Sequence, residues 1–184
     1  MINVHYMRLG RREEDRLSCL DRVGGLPSYL PKEFPRSAEF GTEYCFLMQI
    51  VSLERFGLAG ASLQLYQSGE VDKGDDPRPI VLLLPIDAPF NIEKLGRECE
   101  MIERQTIEWE TGGEGPLPTS GVSAELMKAV RSKAGGVPPF VVAPRSGLQF
   151  IGQISEAPFG FNFGGSILTL WRQNGVNEIV SEFA

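Results

Sequence analysis

The chain has 184 residues, 42% of them hydrophobic and 23% charged, with a net charge of -6 and three cysteines. That length and composition suit one soluble globular domain that buries enough surface to fold without disulfides or metal. The acidic balance argues against a duplex nucleic-acid binder, which needs a basic patch, and leaves room for a basic partner. Cys19, Cys45 and Cys99 are widely spaced and odd in number, which fits a reducing compartment. No stretch has the pattern of a signal peptide, and the longest apolar run, 80–85, is too short for a bilayer, so a cytoplasmic protein with no membrane partner is expected.

In chain order, residues 1–23 read as a short apolar start followed by a short charged helix around Arg11–Leu17, with Leu17, Leu20 and Val23 packing inward. Gly24-Gly25-Leu26-Pro27 is a turn in which paired glycines supply positive φ. Phe46-Leu47-Met48-Gln49-Ile50 is apolar on both faces, which predicts a central strand covered on both sides. A second strand follows over Leu63–Tyr66, then an acidic loop holding Glu70, Asp72, Asp75 and Asp76, then a buried strand over Ile80–Leu84. Ile92, Leu95, Cys99 and Ile102 recur at helical spacing behind an Asn91 cap, and Gln105–Glu110 alternates as a half-exposed strand. Residues 111–121 read as a Gly/Pro-rich loop, and Ser123 caps a helix ended by Gly135. Asn174-Gly175 predicts a hairpin turn into a last strand over Glu178–Phe183.

Several words occur twice. Phe46-Leu47-Met48-Gln49-Ile50 returns as Phe150-Ile151-Gly152-Gln153-Ile154, with the glutamines at 49 and 153. Gly60-Ala61-Ser62-Leu63-Gln64-Leu65-Tyr66 returns as Gly165-Ser166-Ile167-Leu168-Thr169-Leu170-Trp171. The turn Gly24, Gly25, Pro27 returns as Gly135, Gly136, Pro138. The expectation is an α+β domain, mostly antiparallel β with a few short helices. Its two duplicated halves, about 22–110 and 122–184, would be related by a pseudo-two-fold and joined by the 111–121 loop.

One histidine, His5, and no cysteine pair leave little material for a catalytic triad or a zinc site, and no phosphate-binding glycine motif occurs. The reading is a non-enzyme without metal or cofactor. Glu108 and Glu110 flank Trp109 and share a strand face about 7 Å apart, which keeps a carboxylate-dependent hydrolase or small-molecule binder as the alternative. A structural subunit of a homo-oligomer is a further alternative. Gln49 and Gln153 need partners, because a buried unpaired amide costs about 1–3 kcal/mol. Each either ties down its own Gly-Gly turn or lines a cleft between the halves. Tyr66 and Trp171 read as core or rim aromatics or as ligand platforms. Met48 against Gly152, and the loop carrying Phe159, Phe161 and Phe163, mark where the two copies differ and where function is expected.

Val23-Gly24-Gly25-Leu26-Pro27 followed by Phe46-Leu47-Met48-Gln49-Ile50, with Leu148–Ile154 in the second half, resembles the bacterial YwqG-like family, which is distantly related to the eukaryotic programmed-cell-death-2 proteins. The resemblance implies a duplicated β-rich domain whose relatives act as chaperones of a ribosomal protein or belong to toxin–immunity loci. The cysteine pairs that precede the strand in the eukaryotic proteins are represented here by Cys45 alone, so no metal is expected. The expected function is a protein- or peptide-binding domain of immunity or chaperone type. It would hold an extended, basic segment through Gln49, Gln153, Tyr66, Trp171, Phe159, Phe161 and the acidic loop.

Overall fold

A computed structural model describes residues 2–12, 21–86, 97–98, 102–114, 131–138, 146–173 and 178–183. Among the described residues eleven strands form one sheet: β1 (Ile2–Arg12), β2 (Arg22–Val23), β3 (Cys45–Ile50), β4 (Ala61–Gln67), β5 (Ile80–Pro85), β6 (Arg97–Glu98), β7 (Gln105–Glu114), β8 (Lys133–Gly135), β9 (Leu148–Ile154), β10 (Leu168–Gln173) and β11 (Ile179–Phe183). Their order is β11-β10-β9-β8-β1-β7-β2-β3-β4-β5, with β6 alongside β3. The sheet curls into a nearly closed, mostly antiparallel barrel. No helix among the described residues is long and apolar enough to cross a membrane.

The centre of the sheet is the long β1–β7 ladder, running from Ile2 opposite Glu114 to Leu9 opposite Ile107. Arg8 stands opposite Glu108 in it and pairs with that carboxylate at 3.0 Å. An 11-residue strand over Ile2–Arg12 replaces the expected short start and takes in Arg11 and Arg12, the first residues given to the charged helix. Arg8, Arg11, Arg12 and Gly10 mask the alternation of Val4 with Tyr6 on one face and Met7 with Leu9 on the other, and only pairing on both sides, with β7 and β8, reveals it. His5 is fixed in that strand opposite Thr111. Val23 likewise belongs to a strand.

Three other expectations change. Thr111–Glu114 continue β7 rather than opening a loop. Arg97 and Glu98, inside the span given to a helix, pair in parallel with Cys45 and Phe46. Lys133–Gly135, given to the end of a helix, are held between β1 and β9. In each case a long-range ladder outweighs local propensity, which is worth only tenths of a kcal/mol per residue. Most of the first charged segment (13–20), Asn91, Leu95 and Cys99, residues 115–130 and the Asn174-Gly175 turn lie outside the described residues. The strands flanking that turn do pair antiparallel, Arg172 opposite Ile179.

The barrel is filled. Met48, Ile50, Leu63, Leu65, Ile107, Ile154, Leu168 and Leu170 belong to a single apolar cluster, and β3 is buried along its whole length as expected of a central strand. Two loops plug this interior crosswise. Phe56, in the 3-10 turn Leu53–Phe56 after β3, lies against β9; a Cβ on Gly152 would sit 2.6 Å from its ring and 2.5 Å from the Lys133 carbonyl oxygen. The Met48-to-Gly152 difference is therefore explained by packing: glycine makes room for Phe56. Phe159, Phe161 and Phe163, from the loop after β9, stack at ring-centre distances of 5.3 and 5.4 Å inside the same core. A second, smaller cluster of Tyr44, Phe46 and Tyr66, with Phe34, Ile80 and Leu82 packed on it, lies apart from the main cluster.

Candidate functional site

Two features could carry function: rows of buried polar side chains across the sheet, and the gap where the barrel fails to close.

One row runs through Gln64, Gln49, Arg22 and Thr106 on four neighbouring strands. The other runs through Thr169, Gln153, Lys133 and Tyr6. All eight side chains are buried. Burial of this many polar groups is tolerable only when each finds a partner. Ser28 N–H donates to Gln49 Oε1 at 2.9 Å, and Gln49 Nε2 donates to Ser28 Oγ at 3.3 Å. Gln64 Nε2 donates to the Tyr29 carbonyl at 2.7 Å, and Tyr66 OH to Gln64 Oε1 at 2.6 Å. Gln153 Nε2 donates to the Arg131 carbonyl at 2.8 Å, and Trp171 Nε1 to Thr169 Oγ1 at 3.1 Å.

Lys133 is fully buried and gives Nζ to Glu114 Oε1 at 2.6 Å. Tyr6 OH donates to the same oxygen at 2.9 Å, and Val137 N–H to Glu114 Oε2 at 2.8 Å. The Arg131 guanidinium covers the Tyr6 ring at 4.5 Å. Loss of hydration lowers the Lys133 ammonium below its ordinary pKa, against the opposing pull of Glu114. Burial, then the Glu114 carboxylate, raises Tyr6; burial alone raises Tyr66. A phenol whose folded pKa is raised stabilises the fold below its unfolded value near 10, and that contribution is lost as pH climbs through the folded pKa. Stability against urea should therefore fall above pH 10, and fall less steeply in Tyr66→Phe. An equal slope in the two proteins would show that Tyr66 ionises normally.

The gap lies between β5 and β11, the two ends of the strand order. It is a groove of about 320 Å³ lined by Val81, Leu83, Glu178 and Ile179. Ile86 N–H bonds the Gly60 carbonyl at 3.3 Å, so by the alternation of an antiparallel ladder Ile80, Leu82 and Leu84 turn their backbone groups to β4. Val81, Leu83 and Pro85 turn theirs outward. Gln173 N–H bonds the Glu178 carbonyl at 3.3 Å, which likewise leaves Ile179, Ser181 and Phe183 facing away from β10. Among the described residues neither edge has a strand partner, and both look onto the groove. Among the described residues the Glu178 side chain has no ion pair.

The structure scatters the residues expected to bind a partner. Gln49, Gln153, Tyr66, Trp171 and Phe159 are buried, so a partner could meet their side chains only by displacing what covers them; Phe161 is buried as well but lines a small pocket. Glu70 pairs with Lys73 and Asp76 with Arg78, each at 2.5 Å. Asp75 is buried and held below the usual carboxylate range by the hydroxyls of Ser68 and Ser37. Asp72 is exposed and meets Phe161 in a small pocket of about 100 Å³, also lined by Leu47, Gln67 and Asn162. Glu108 and Glu110 are engaged by Arg8 and, at 3.7 Å, by Arg131. Among the described residues no group of three His, Cys, Asp or Glu side chains is placed to hold a metal ion.

Both glycine pairs do have positive φ: 67° and 75° at Gly24 and Gly25, 74° and 81° at Gly135 and Gly136. The groove residues and the buried cations were missed. A signal for the cations was present, since Arg22 and Lys133 each stand two residues before a Gly-Gly pair. A free strand edge leaves no such mark in a sequence. No family model matches the chain, and no curated protein matches it significantly.

Proposed function

We propose that this chain is a non-catalytic binding domain that takes an extended polypeptide segment as an added strand in the groove between β5 and β11. The observation that carries the reading is the pair of outward-facing edges on one groove. Outward backbone N–H and C=O groups supply affinity in strand addition, and pockets for alternate side chains supply specificity. The groove is lined by residues of the two edge strands and by Glu178 just before β11, which suits side chains projecting from an added strand. Occlusion of a bound segment is the action expected of an immunity or chaperone-type protein, and the YwqG-like motifs lean the same way.

The reading includes an internal duplication in which each half lends its first strand to the other. β1 pairs with β8 and β7 with β2, so β1–β5 and β7–β11 would be the repeated units. Three correspondences support it. Arg8 and Glu108 exchange places across the β1–β7 ladder, and Met7 opposite Trp109 mirrors Leu9 opposite Ile107. The Asp21 carbonyl accepts from Ile107 N–H at 2.8 Å as the Ser132 carbonyl accepts from Met7 N–H at 2.9 Å. Arg22 faces Gln49 as Lys133 faces Gln153.

Selection of a random heptapeptide display library on the full chain tests the binding reading. Enriched peptides should alternate apolar and polar residues. Their binding should be lost in Ser181→Pro, which removes an outward N–H while leaving the β10 ladder intact. The thermal midpoint should hardly move. No enrichment, or enrichment indifferent to Ser181→Pro, sinks the proposal.

A further inference from the structure

Resting on the strand-addition reading, the geometry points to one direction and one chemistry for the segment: it runs antiparallel to β11 and parallel to β5, apolar at alternate positions, with a lysine or arginine at its C-terminal end.

The direction follows from counting. Ten strands in the order β11 to β5 make nine interfaces, and every one is antiparallel. Nine reversals leave β11 and β5 opposed to each other. A single strand placed between them must therefore be antiparallel to one edge and parallel to the other. Antiparallel pairing is the more stable per residue, so it should form on the better-equipped edge. That edge is β11, where Ile179, Ser181 and Phe183 each offer an N–H and a C=O. On β5 the outward residues are Val81, Leu83 and Pro85, and proline has no N–H to give. Pro79 directly before the strand shortens the useful edge again.

The chemistry follows from what lines the groove at each end. Val81, Leu83, Ile179 and Phe183 pack against the barrel core, so alternate side chains of the segment enter an apolar environment. Antiparallel to β11, the segment begins beside Phe183 and ends beside Ile179 and Glu178. The Glu178 carboxylate then favours a cation there and repels a free C-terminal carboxylate. The segment is accordingly internal to its own protein, or otherwise uncharged at its end.

Two synthetic peptides test this by titration calorimetry on the full chain: acetyl-Val-Thr-Val-Thr-Val-Lys-amide and acetyl-Lys-Val-Thr-Val-Thr-Val-amide. The peptide with lysine last should bind roughly fivefold tighter at low salt, as a partly exposed ion pair allows. Glu178→Gln should erase the preference. Equal binding, or tighter binding of the lysine-first peptide, overturns the direction; if Ser181→Pro abolishes that binding, strand addition itself survives. If neither peptide binds while display-selected heptapeptides do, the apolar-and-basic chemistry is wrong and the groove reading stands. If neither kind of peptide binds, both proposals fall.

Discussion

Glu114→Ala should lose about 3–5 kcal/mol of stability, the usual consequence of removing one partner of a buried ion pair. Glu114 takes the Lys133 ammonium and the Tyr6 hydroxyl on one oxygen and the Val137 N–H on the other. Alanine would leave a charge, a phenol and a backbone donor buried together with nothing to accept from them. For a chain of this length that corresponds to a midpoint lowered by roughly 10 °C. The loss comes mostly from stranding Lys133 rather than from the pair's own attraction, so Lys133→Met in the same chain should recover much of it. Urea unfolding of the two single variants and the double variant measures both effects. A double variant no more stable than Glu114→Ala would show instead that the pair contributes net attraction.

That cluster also shows where the sequence was readable and where it was not. The repeated Phe-x-x-Gln-Ile word marked two central strands, because two-sided burial writes itself as apolar residues on both faces. Its glutamines were read as needing partners. Gln49 finds one in Ser28, beside its Gly-Gly turn, and Gln153 in Arg131, just before its own. The Gly-Gly pairs announced positive φ because no other residue adopts it cheaply. Strand β1 stayed hidden because its partners, Gln105–Glu114 and Lys133–Gly135, lie about a hundred positions away, and charged outward residues broke its alternation. The acidic loop looked like a landing site because sequence shows charge and not pairing. In the fold Lys73, Arg78 and two serine hydroxyls take up most of it. The groove was beyond reach for a different reason. It lies where two strand edges have no neighbour among the described residues, and only the order of all the described strands puts β5 and β11 at its two ends.

Asp21→Ala should cost about as much as Glu114→Ala, although nothing in the sequence sets Asp21 apart. Its Oδ1 accepts from Val51 N–H at 2.6 Å and Ser52 N–H at 3.0 Å, while Oδ2 accepts from the Ser52 hydroxyl and from Trp109 Nε1 at 2.7 Å. One carboxylate thus ties the end of β3 to the central strand β7. In the second half Ser132 does a smaller version of the same work, accepting from Ser155 N–H at 2.9 Å. Hydrogen bonds to a charged group contribute about 1.5–3 kcal/mol each, and they are not additive within one cluster. A total loss of about 3–5 kcal/mol is expected, part of it the cost of a part-buried indole N–H left without its acceptor. Asp21→Asn keeps one oxygen and should lose about half as much. Trp109 reports the event directly, since it also packs edge-on to Phe56 at 6.0 Å and under Arg55 at 5.0 Å. Its near-ultraviolet circular dichroism should weaken in Asp21→Ala before the far-ultraviolet strand signal does. An unchanged urea midpoint with an altered tryptophan signal would mean that Asp21 orients Trp109 without holding the two strands together.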